Sequence, residues 1–269
     1  MRLSPTYVIG DIHGQLKKLV KLLKDAQLID EHLAWQGANA VLWLIGDLVD
    51  RGPDSIAVLD LARRLQTEAA SVGGQVACLL GNHELLMLAA YRFGRRSTGL
   101  SSNFISKWRQ NGGQRKDLAR LTREHLEWMA QLPAMALVGN RLLLHADAPF
   151  YLRYGHSIEE VNSTIGALLK KSDELAWEEL LEDFARRGAF AVPQSGEDVA
   201  RRFLAIYGGQ QIVHGHTPIS ALVRLAPKNV ALPLIYAAEQ CVDIDGGMFL
   251  GGPGFIYQLS APSESGISG

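Results

Sequence analysis

Five short motifs in this sequence combine histidine with aspartate or asparagine, residues that bind divalent metal ions in enzymes. They lie at residues 10–14 (GDIHG), 46–52 (GDLVDRG), 81–84 (GNHE), 145–147 (HAD) and 214–217 (HGHT). Carboxylate, imidazole and amide ligands together suit borderline ions such as Mn²⁺, Fe²⁺ or Zn²⁺. Two such ions about 3.5–4 Å apart can polarise a phosphoryl group and generate a hydroxide at neutral pH. The motifs therefore point to metal-dependent phosphoester chemistry.

Each motif follows a short apolar run that is typical of a buried strand. These runs lie at residues 7–9, 41–45, 76–80, 141–144 and 211–213. In open α/β sheets, ligands bind outside the carboxyl ends of the strands. Residues that follow the strands should therefore converge in space although they are far apart in sequence, and we expect the five motifs to form one site.

The remaining pattern predicts the elements that position this site. Helical spacing at residues 15–28, 53–65 and 84–91 alternates with the first three strands, which argues for a largely parallel sheet with helical crossovers. Residues 134–138 and 141–144 flank Gly139-Asn140 and predict a hairpin. Residues 168–190 are predicted to be helical. Further strands are predicted at residues 221–225, 234–237, 240–244 and 255–258.

We therefore predict an α/β fold in which two packed mixed β-sheets are flanked by helices, an α/β/β/α sandwich. A single domain should span residues 1–259, with a helical insertion at about 92–131 near the mouth of the site. Residues 260–269 are polar and rich in Gly and Ser, so we expect a flexible tail.

Composition narrows the class of protein. The chain has 269 residues, of which 47% are hydrophobic and 20% charged, as in an ordinary soluble enzyme. A formal net charge of −1 argues against nucleic acid or an anionic membrane as a partner. No apolar stretch is long enough to span a bilayer, and no apolar signal region begins the chain, so a cytoplasmic location is expected. Cys78 and Cys241 are predicted to be reduced, buried thiols.

Each motif also has a simpler interpretation when it is considered alone. Asp11 and Asp47 could cap the helices that follow them. His13 and His83 could be exposed loop histidines, and His145 could lie at a strand end without a ligand. That alternative needs five independent coincidences in the right order, so the joint pattern favours a metal site.

The motif series resembles the calcineurin-like metallophosphoesterase superfamily, and the Arg51-Gly52 extension of the second motif resembles its phosphoprotein phosphatase family. That family includes Ser/Thr protein phosphatases and bacterial diadenosine tetraphosphatases. The Ser-Ala-Pro-Asn-Tyr-Cys signature of the eukaryotic Ser/Thr phosphatases is missing here. The resemblance therefore points to a bacterial branch.

Site residues follow from this resemblance position by position. It implies Asp11, His13 and Asp47 around one metal ion, and Asp47, Asn82, His145 and His216 around the other. His83 matches the general acid, Asp50 the carboxylate that orients it, and Arg51 a phosphate-binding arginine. A substrate contact is also assigned to Asn82. The family's second phosphate-binding arginine has no clear match, and Arg186 and Arg187 are candidates from their position upstream of His216.

Other polar residues near the motifs are predicted to have supporting roles or none. His214 is a weaker candidate for a metal ligand than His216, and a supporting role is the alternative. Asp147 and Asp245 are expected to be structural acids or to support the metal ligands through hydrogen bonds. His32, His125 and His156 match no motif and are predicted to be surface histidines.

The resemblance implies in-line attack by a metal-activated hydroxide, without a phosphoenzyme intermediate. It implies two divalent ions, with Mn²⁺ preferred and Fe or Zn as alternatives. The predicted function is phosphoprotein phosphatase, so the partner is a phosphorylated protein. A diadenosine tetraphosphatase-like hydrolase of nucleotides is the main alternative, and a non-catalytic binding protein on the same fold is a third. The pattern does not predict an oligomeric state.

Overall fold

The computed structural model of the protein describes residues 4–94 and 103–259. Within these ranges the chain forms nine strands: β1 (Thr6–Ile9), β2 (Val41–Leu44), β3 (Gln75–Cys78), β4 (Met135–Val138), β5 (Arg141–Leu144), β6 (Gln211–His214), β7 (Leu234–Tyr236), β8 (Cys241–Asp243) and β9 (Tyr257–Leu259). The same ranges hold ten α-helices: α1 (Leu16–Asp25), α2 (Ser55–Ser71), α3 (Asn82–Phe93), α4 (Phe104–Gln110), α5 (Arg115–Arg120), α6 (Arg123–Met129), α7 (Ile158–Lys170), α8 (Glu174–Phe184), α9 (Gly196–Tyr207) and α10 (Ile219–Leu222). Short 3₁₀ turns lie at Pro149–Arg153, Ala189–Ala191, Pro227–Asn229 and Met248–Leu250.

The strands form two mixed sheets. In the first, with the order β3-β2-β1-β9, the three leading strands are parallel and β9 is antiparallel to β1. In the second, with the order β4-β5-β6-β8-β7, three parallel central strands are flanked by antiparallel β4 and β7. This arrangement, flanked by helices, confirms the predicted fold class.

A buried apolar layer joins the two sheets. It includes Val8, Trp43, Ile45, Leu79, Leu143, Val213 and Val242. The alternate residues Ile9, Leu42 and Leu44 point to the opposite face and pack in the larger cluster that contains the helices. Because both faces of the central strands are covered, these strands carry no polar face and appear in the sequence as continuous apolar runs.

The predicted hairpin is confirmed. Strands β4 and β5 pair in antiparallel register with Val138 opposite Arg141. Gly139 in the turn has a φ of +58°, in the left-handed region that glycine adopts without strain. The hairpin places His145 directly after β5, beside the parallel strand β6.

Two predicted elements are wrong. The single helix predicted at residues 168–190 is two helices, because the chain breaks after Lys170 and Asp173 begins α8 by accepting a hydrogen bond from the Ala176 amide at 3.2 Å. The strand predicted at residues 221–225 is replaced by the short helix α10, and Leu225 is exposed instead of packed in a sheet. Helix α9 was not anticipated by the pattern.

Parts of the predicted insertion and tail lie outside the described residues. These parts are residues 95–102 of the predicted helical insertion and the tail predicted to be flexible at 260–269. The described remainder of the predicted insertion contains α4, α5 and α6. Among the described helices, none has both the length and the apolar character needed to cross a membrane. Cys78 and Cys241 are buried free thiols, as predicted.

Candidate metal centre

Side chains from the five motifs meet at the carboxyl ends of the strands. Asp11 and His13 follow β1, Asp47 follows β2, Asn82 and His83 begin α3 after β3, His145 follows β5, and His216 follows β6. All of them are buried, and the most exposed, Asn82, is only 5% exposed. Burying acids and imidazoles together is costly unless a cation or a network of hydrogen bonds compensates them.

One half of the cluster is built around His145. Its Nδ1 donates to the Ile45 carbonyl at 2.9 Å, which leaves Nε2 as an acceptor. That atom nevertheless lies 3.0 Å from Asn82 Oδ1 and 3.2 Å from Asp47 Oδ1, so three acceptor atoms face one another. Within the described part of the chain, the buried Nε2 of His216 has no hydrogen-bond partner. Ligand atoms of Asp47, His145 and His216 lie within 4.8 Å of one another, an arrangement that a cation would satisfy.

The other half is built around His13. Its Nδ1 donates to the Val49 carbonyl at 3.0 Å, so Nε2 is again the acceptor. This Nε2 lies 3.5 Å from Asp47 Oδ2 and 3.7 Å from Asp11 Oδ2. His13, Asp47 and His83 form a second group with ligand atoms within 4.8 Å of one another. Asp47 belongs to both groups and turns one carboxylate oxygen towards each.

Burial controls the protonation of these groups. It raises the pKa of Asp11 and Asp47 well above that of a free carboxyl, and the neighbouring Asp245 adds to the shift of Asp11. It also lowers the pKa of His13 well below the usual range and that of His145 to about 3. The imidazoles are therefore neutral at pH 7, which is the form that binds metals, and an adjacent cation would favour ionised carboxylates. The residues present fit two divalent ions.

Several site residues adopt the left-handed backbone region, which is uncommon outside glycine. They are His13 (φ 47°), Asp47 (52°), Asp50 (66°), Arg51 (64°) and His216 (70°). Such conformations cost energy and persist only when surrounding contacts enforce them. The loops that carry the site therefore need dedicated support.

Glu84 supplies much of that support. Its buried carboxylate accepts hydrogen bonds from the backbone amides of Asp47 at 2.9 Å, Leu48 at 2.8 Å and Gly81 at 3.0 Å. A Cβ at Gly81 would lie 2.3 Å from the Asp47 amide nitrogen, so the two loops can approach only with glycine there. The sequence pattern assigned Glu84 no role. Its position as the third residue of α3, from which Glu reaches back to the capping amide, was the available signal.

His83 and Asp50 form a buried pair beside the cluster. His83 Nδ1 donates to Asp50 Oδ2 at 2.9 Å, and the buried His83 Nε2 has no hydrogen-bond partner among residues 4–94 and 103–259. Burial lowers the pKa of His83 well below its usual range, whereas a substrate dianion beside Nε2 would raise it again. Since Nε2 also lies 3.9 Å from Asp47 Oδ2, the geometry fits either a general acid or a metal ligand.

Arg51 lies at the same end of the site. One guanidinium nitrogen donates to His13 Nε2 at 2.8 Å, and the group sits 4.1 Å from the centre of the Phe249 ring. The Phe249 ring also meets His13 edge to face, with ring centres 4.8 Å apart. The aromatic ring thus fixes a positive charge beside the acids and imidazoles, where a phosphate group would be attracted.

The two candidates for a second phosphate-binding arginine have different surroundings. Arg186 is 60% exposed and its Nε lies 3.2 Å from Asp183 Oδ1. The charge of Arg187, by contrast, helps to lower the pKa of His145 and His216, behind the larger effect of burial. Arg187 therefore lies within electrostatic reach of the metal-binding cluster, whereas Arg186 is paired away from it.

Asp147 ties the loop of Arg187 to the loop of His216. Its Oδ2 accepts from the Gly188 amide at 2.8 Å, and its Oδ1 accepts from the Thr217 hydroxyl at 2.8 Å. This contact agrees with the structural role predicted for Asp147. Asp245 Oδ1 likewise accepts a hydrogen bond from the Gly247 amide at 2.8 Å.

The remaining histidines divide into supporting and surface residues. Both ring nitrogens of His214 have partners, the Tyr236 hydroxyl at 2.7 Å and the Gly215 carbonyl at 3.0 Å, so it lies outside both metal-binding groups. His32 and His156 are exposed, as predicted. The prediction that His125 is a surface residue is wrong, because the residue is only 3% exposed. Its ring takes part in the N-terminal capping box of α6, and its Nε2 lies 2.8 Å from Asp60 Oδ1.

Comparison with known proteins places the chain among phosphoesterases. The model of the calcineurin-like phosphoesterase family matches residues 4–220. The chain is 37% identical over 78 residues to Shewanella-like protein phosphatase 2 of Arabidopsis thaliana, covering 29% of this chain and 20% of the plant protein. It is 43% identical over 86 residues to a symmetrical bis(5'-nucleosyl)-tetraphosphatase of Pectobacterium atrosepticum, covering 32% of this chain and 26% of the bacterial protein. The matched segments thus span about a quarter or less of these relatives.

Among solved structures, a cold-active protein-tyrosine phosphatase of a psychrophilic Shewanella species superimposes with a TM-score of 0.72. The alignment covers 96% of this chain and 75% of that protein at 21% sequence identity. At this identity the likeness concerns the fold.

Proposed function

This chain belongs to the calcineurin-like phosphoesterase family, and from that premise we propose that it is a phosphoprotein phosphatase that depends on two divalent metal ions. The observation that carries the proposal is the pair of His/Asp groups that share Asp47, with one carboxylate oxygen turned towards each. A shared carboxylate can hold two ions about 3.5–4 Å apart, the spacing at which both can act on one phosphoryl group.

Different residues would bind the metal ions and the substrate in the proposed reaction. Asp11, His13 and Asp47 would hold one ion, and Asp47, Asn82, His145 and His216 the other. When bound, the ions would polarise the phosphoryl group and lower the pKa of a coordinated water. Arg51 would bind phosphate oxygens through its planar set of N–H donors, while Asn82 would also contact the substrate.

Proton transfer to the leaving group is assigned to His83. Its Nε2 would give a proton to the leaving oxygen, while Asp50 holds Nδ1–H and stabilises the imidazolium form. The hydrogen bond between His83 and Asp50, at 2.9 Å, supports this assignment. We propose Mn²⁺ as the native ion, with Fe or Zn as alternatives. The cytoplasmic location and the bacterial origin stay predictions from the sequence.

Hydrolysis of dinucleoside polyphosphates is the second candidate function. It is favoured by the identity of 43% over 86 residues with the symmetrical bis(5'-nucleosyl)-tetraphosphatase of Pectobacterium atrosepticum. The same metal-binding groups would serve either substrate, because both present a phosphoryl group to be displaced from oxygen.

A substrate panel separates these functions. Peptides with phosphoserine, phosphothreonine or phosphotyrosine and, separately, diadenosine tetraphosphate are incubated with the chelated protein after addition of Mn²⁺, Fe²⁺, Zn²⁺ or Mg²⁺. We expect metal-dependent phosphate release, with the highest kcat/KM on a phosphopeptide. A higher kcat/KM on diadenosine tetraphosphate, with ADP as product, would instead establish the second function. A folded, metal-loaded protein that hydrolyses neither class would favour a binding protein.

Arg187 should contribute to phosphate binding and Arg186 should not. Arg187→Ala is expected to lower kcat/KM about tenfold through a higher KM, since it removes charge-assisted contacts to the phosphate. Arg186→Ala is the matched control, because it removes a neighbouring exposed arginine that pairs with Asp183. Steady-state kinetics on one phosphopeptide check both variants. Equal losses, or a larger loss in Arg186→Ala, would refute the assignment.

A further inference from the structure

Trp108 lies in the described part of the helical insertion, and its side chain reaches the site. It is fully buried on α4, and its indole Nε1–H donates to Asp50 Oδ1 at 2.8 Å. A Cβ at Gly113 would lie 2.1 Å from the indole ring, so the chain can turn back over the ring only with glycine at that position. The ring is thus enclosed, and its only polar hydrogen points at a carboxylate.

This contact is one of two side-chain hydrogen bonds that converge on the Asp50 carboxylate. Trp108 donates to Asp50 Oδ1, and the other oxygen of the same carboxylate accepts from His83 Nδ1 at 2.9 Å. The Asp50 amide is itself held by the Ser55 hydroxyl at 3.1 Å. Because an indole N–H can only donate, it keeps one carboxylate oxygen as an acceptor and prevents rotation of the group away from His83.

The same segment supports the backbone that carries Asp50. Asp50 and Arg51 are consecutive residues in the left-handed region, with φ values of 66° and 64°. The Arg51 amide donates to the Gly112 carbonyl at 3.0 Å, and the Gln114 side chain donates to the Gly52 carbonyl at 2.7 Å. Residues that follow α4 therefore stabilise the strained loop, while Trp108 orients its side chain.

We propose that Trp108 is a positioning residue that holds Asp50, and through it His83, in the orientation needed to protonate the leaving oxygen. This inference rests on the proposed phosphatase function. It also gives the helical segment a part in catalysis that its sequence pattern does not reveal. Core packing alone is the competing explanation, since Trp108 also belongs to the apolar core.

A substitution that removes the indole N–H but keeps a smaller aromatic ring tests the proposal. Trp108→Phe keeps an aromatic ring, and Trp128→Phe is the matched control because Trp128 Nε1 donates to Gln66 Oε1 at a similar distance of 2.7 Å, in a part of α6 away from the site. Each variant is assayed with 2,4-dinitrophenyl phosphate, whose leaving group needs no proton, and with a phosphoserine peptide, whose alkoxide leaving group does. Metal content is measured on the same samples.

We expect Trp108→Phe to lower kcat on the phosphoserine peptide about tenfold, with little change on dinitrophenyl phosphate and full metal content. Trp128→Phe should change neither rate. Equal losses on both substrates, or no loss, would overturn the positioning role while leaving the phosphatase function intact. A wild type that hydrolyses neither substrate would overturn the proposed function and this inference with it.

A comparison of the wild type with the His83→Asn variant, both of which keep Trp108, covers the case in which Trp108→Phe does not fold. The indole proton resonance of Trp108 should shift in the His83→Asn variant, because the two residues share the Asp50 carboxylate. The resonance of Trp128 serves as the internal control and should not move. An unchanged Trp108 resonance would show that the two residues are not coupled and would overturn the proposal.

Discussion

In the Asp47→Asn variant, metal content should fall to one ion per chain or fewer and kcat should fall by about 10³-fold or more, because one side chain serves both halves of the centre. Asp47 Oδ1 lies 3.2 Å from His145 Nε2, and Oδ2 lies 3.5 Å from His13 Nε2. An asparagine offers a single carbonyl oxygen and no charge, so it could serve at most one ion. Metal content per chain and kcat on a phosphopeptide measure the effect.

Unfolding of the Asp47→Asn variant would not explain a loss of metal and activity. Asparagine can still accept the hydrogen bond that the His83 amide donates to Asp47 Oδ1 at 2.9 Å. The folded-state pKa of Asp47 is raised by burial, so its contribution to stability is lost as the pH rises through that pKa. At neutral pH in a chelator, the variant should therefore melt no lower than the wild type.

Asp25→Asn is the control for Asp47→Asn, since Asp25 is an exposed acid that pairs with Lys21. It should retain both ions and full activity. Full metal content and unchanged activity in Asp47→Asn would refute the bridging role.

In the His83→Asn variant, kcat on a phosphoserine peptide should fall about 10²–10⁴-fold while both ions remain bound. The imidazole is held by Asp50 at 2.9 Å, and its buried Nε2 has no hydrogen-bond partner among the residues that the structure describes, as a proton donor to substrate would require. The loss on 2,4-dinitrophenyl phosphate should be much smaller, because that leaving group departs without protonation. Rates on both substrates and metal content check this prediction.

The alternative for His83 gives a different result. If His83 binds a metal together with His13 and Asp47, a grouping that the distances allow, the substitution would release an ion and lower both rates alike. That outcome would replace the general-acid assignment. His156→Asn, which alters an exposed histidine, is the control and should change neither rate nor metal content.

The site could be predicted from the sequence because its residues directly follow strands, and those strands are recognisable as short runs of apolar residues. Runs such as residues 41–45 are apolar throughout, as expected for strands covered on both faces. The rule that ligands gather at the carboxyl ends of strands then brings Asp11, Asp47 and His145 together without knowledge of the intervening segments. The structure places these side chains in one buried cluster.

Residues that act through long-range contacts could not be identified in this way. Trp108 meets Asp50 across 58 positions of sequence, and no periodicity marks that contact. Arg186 and Arg187 are adjacent and identical in type, so only the fold shows that the first pairs with Asp183. His125 was misassigned to the surface for a related reason, since its partner Asp60 lies on a different helix.

The two errors in the predicted secondary structure have local causes. Residues 168–190 retain helical spacing across the break, and this spacing does not reveal the Asp173 cap at which the second helix begins. Residues 221–225 contain apolar side chains that suit a strand, but Pro218 precedes them and the chain forms one helical turn instead. Neither error touches the metal-binding cluster, because no cluster residue lies in those segments.

The most direct test of a two-ion centre is the count of bound ions against phosphate release as Mn²⁺ is added to the chelated wild type. Mass spectrometry gives the ions per chain, and a phosphopeptide assay on the same samples gives the rate. We expect no turnover after chelation, two ions per chain at saturation, and full activity only when the second ion binds. Full turnover in the chelated protein, or with one ion per chain, would contradict a dinuclear mechanism.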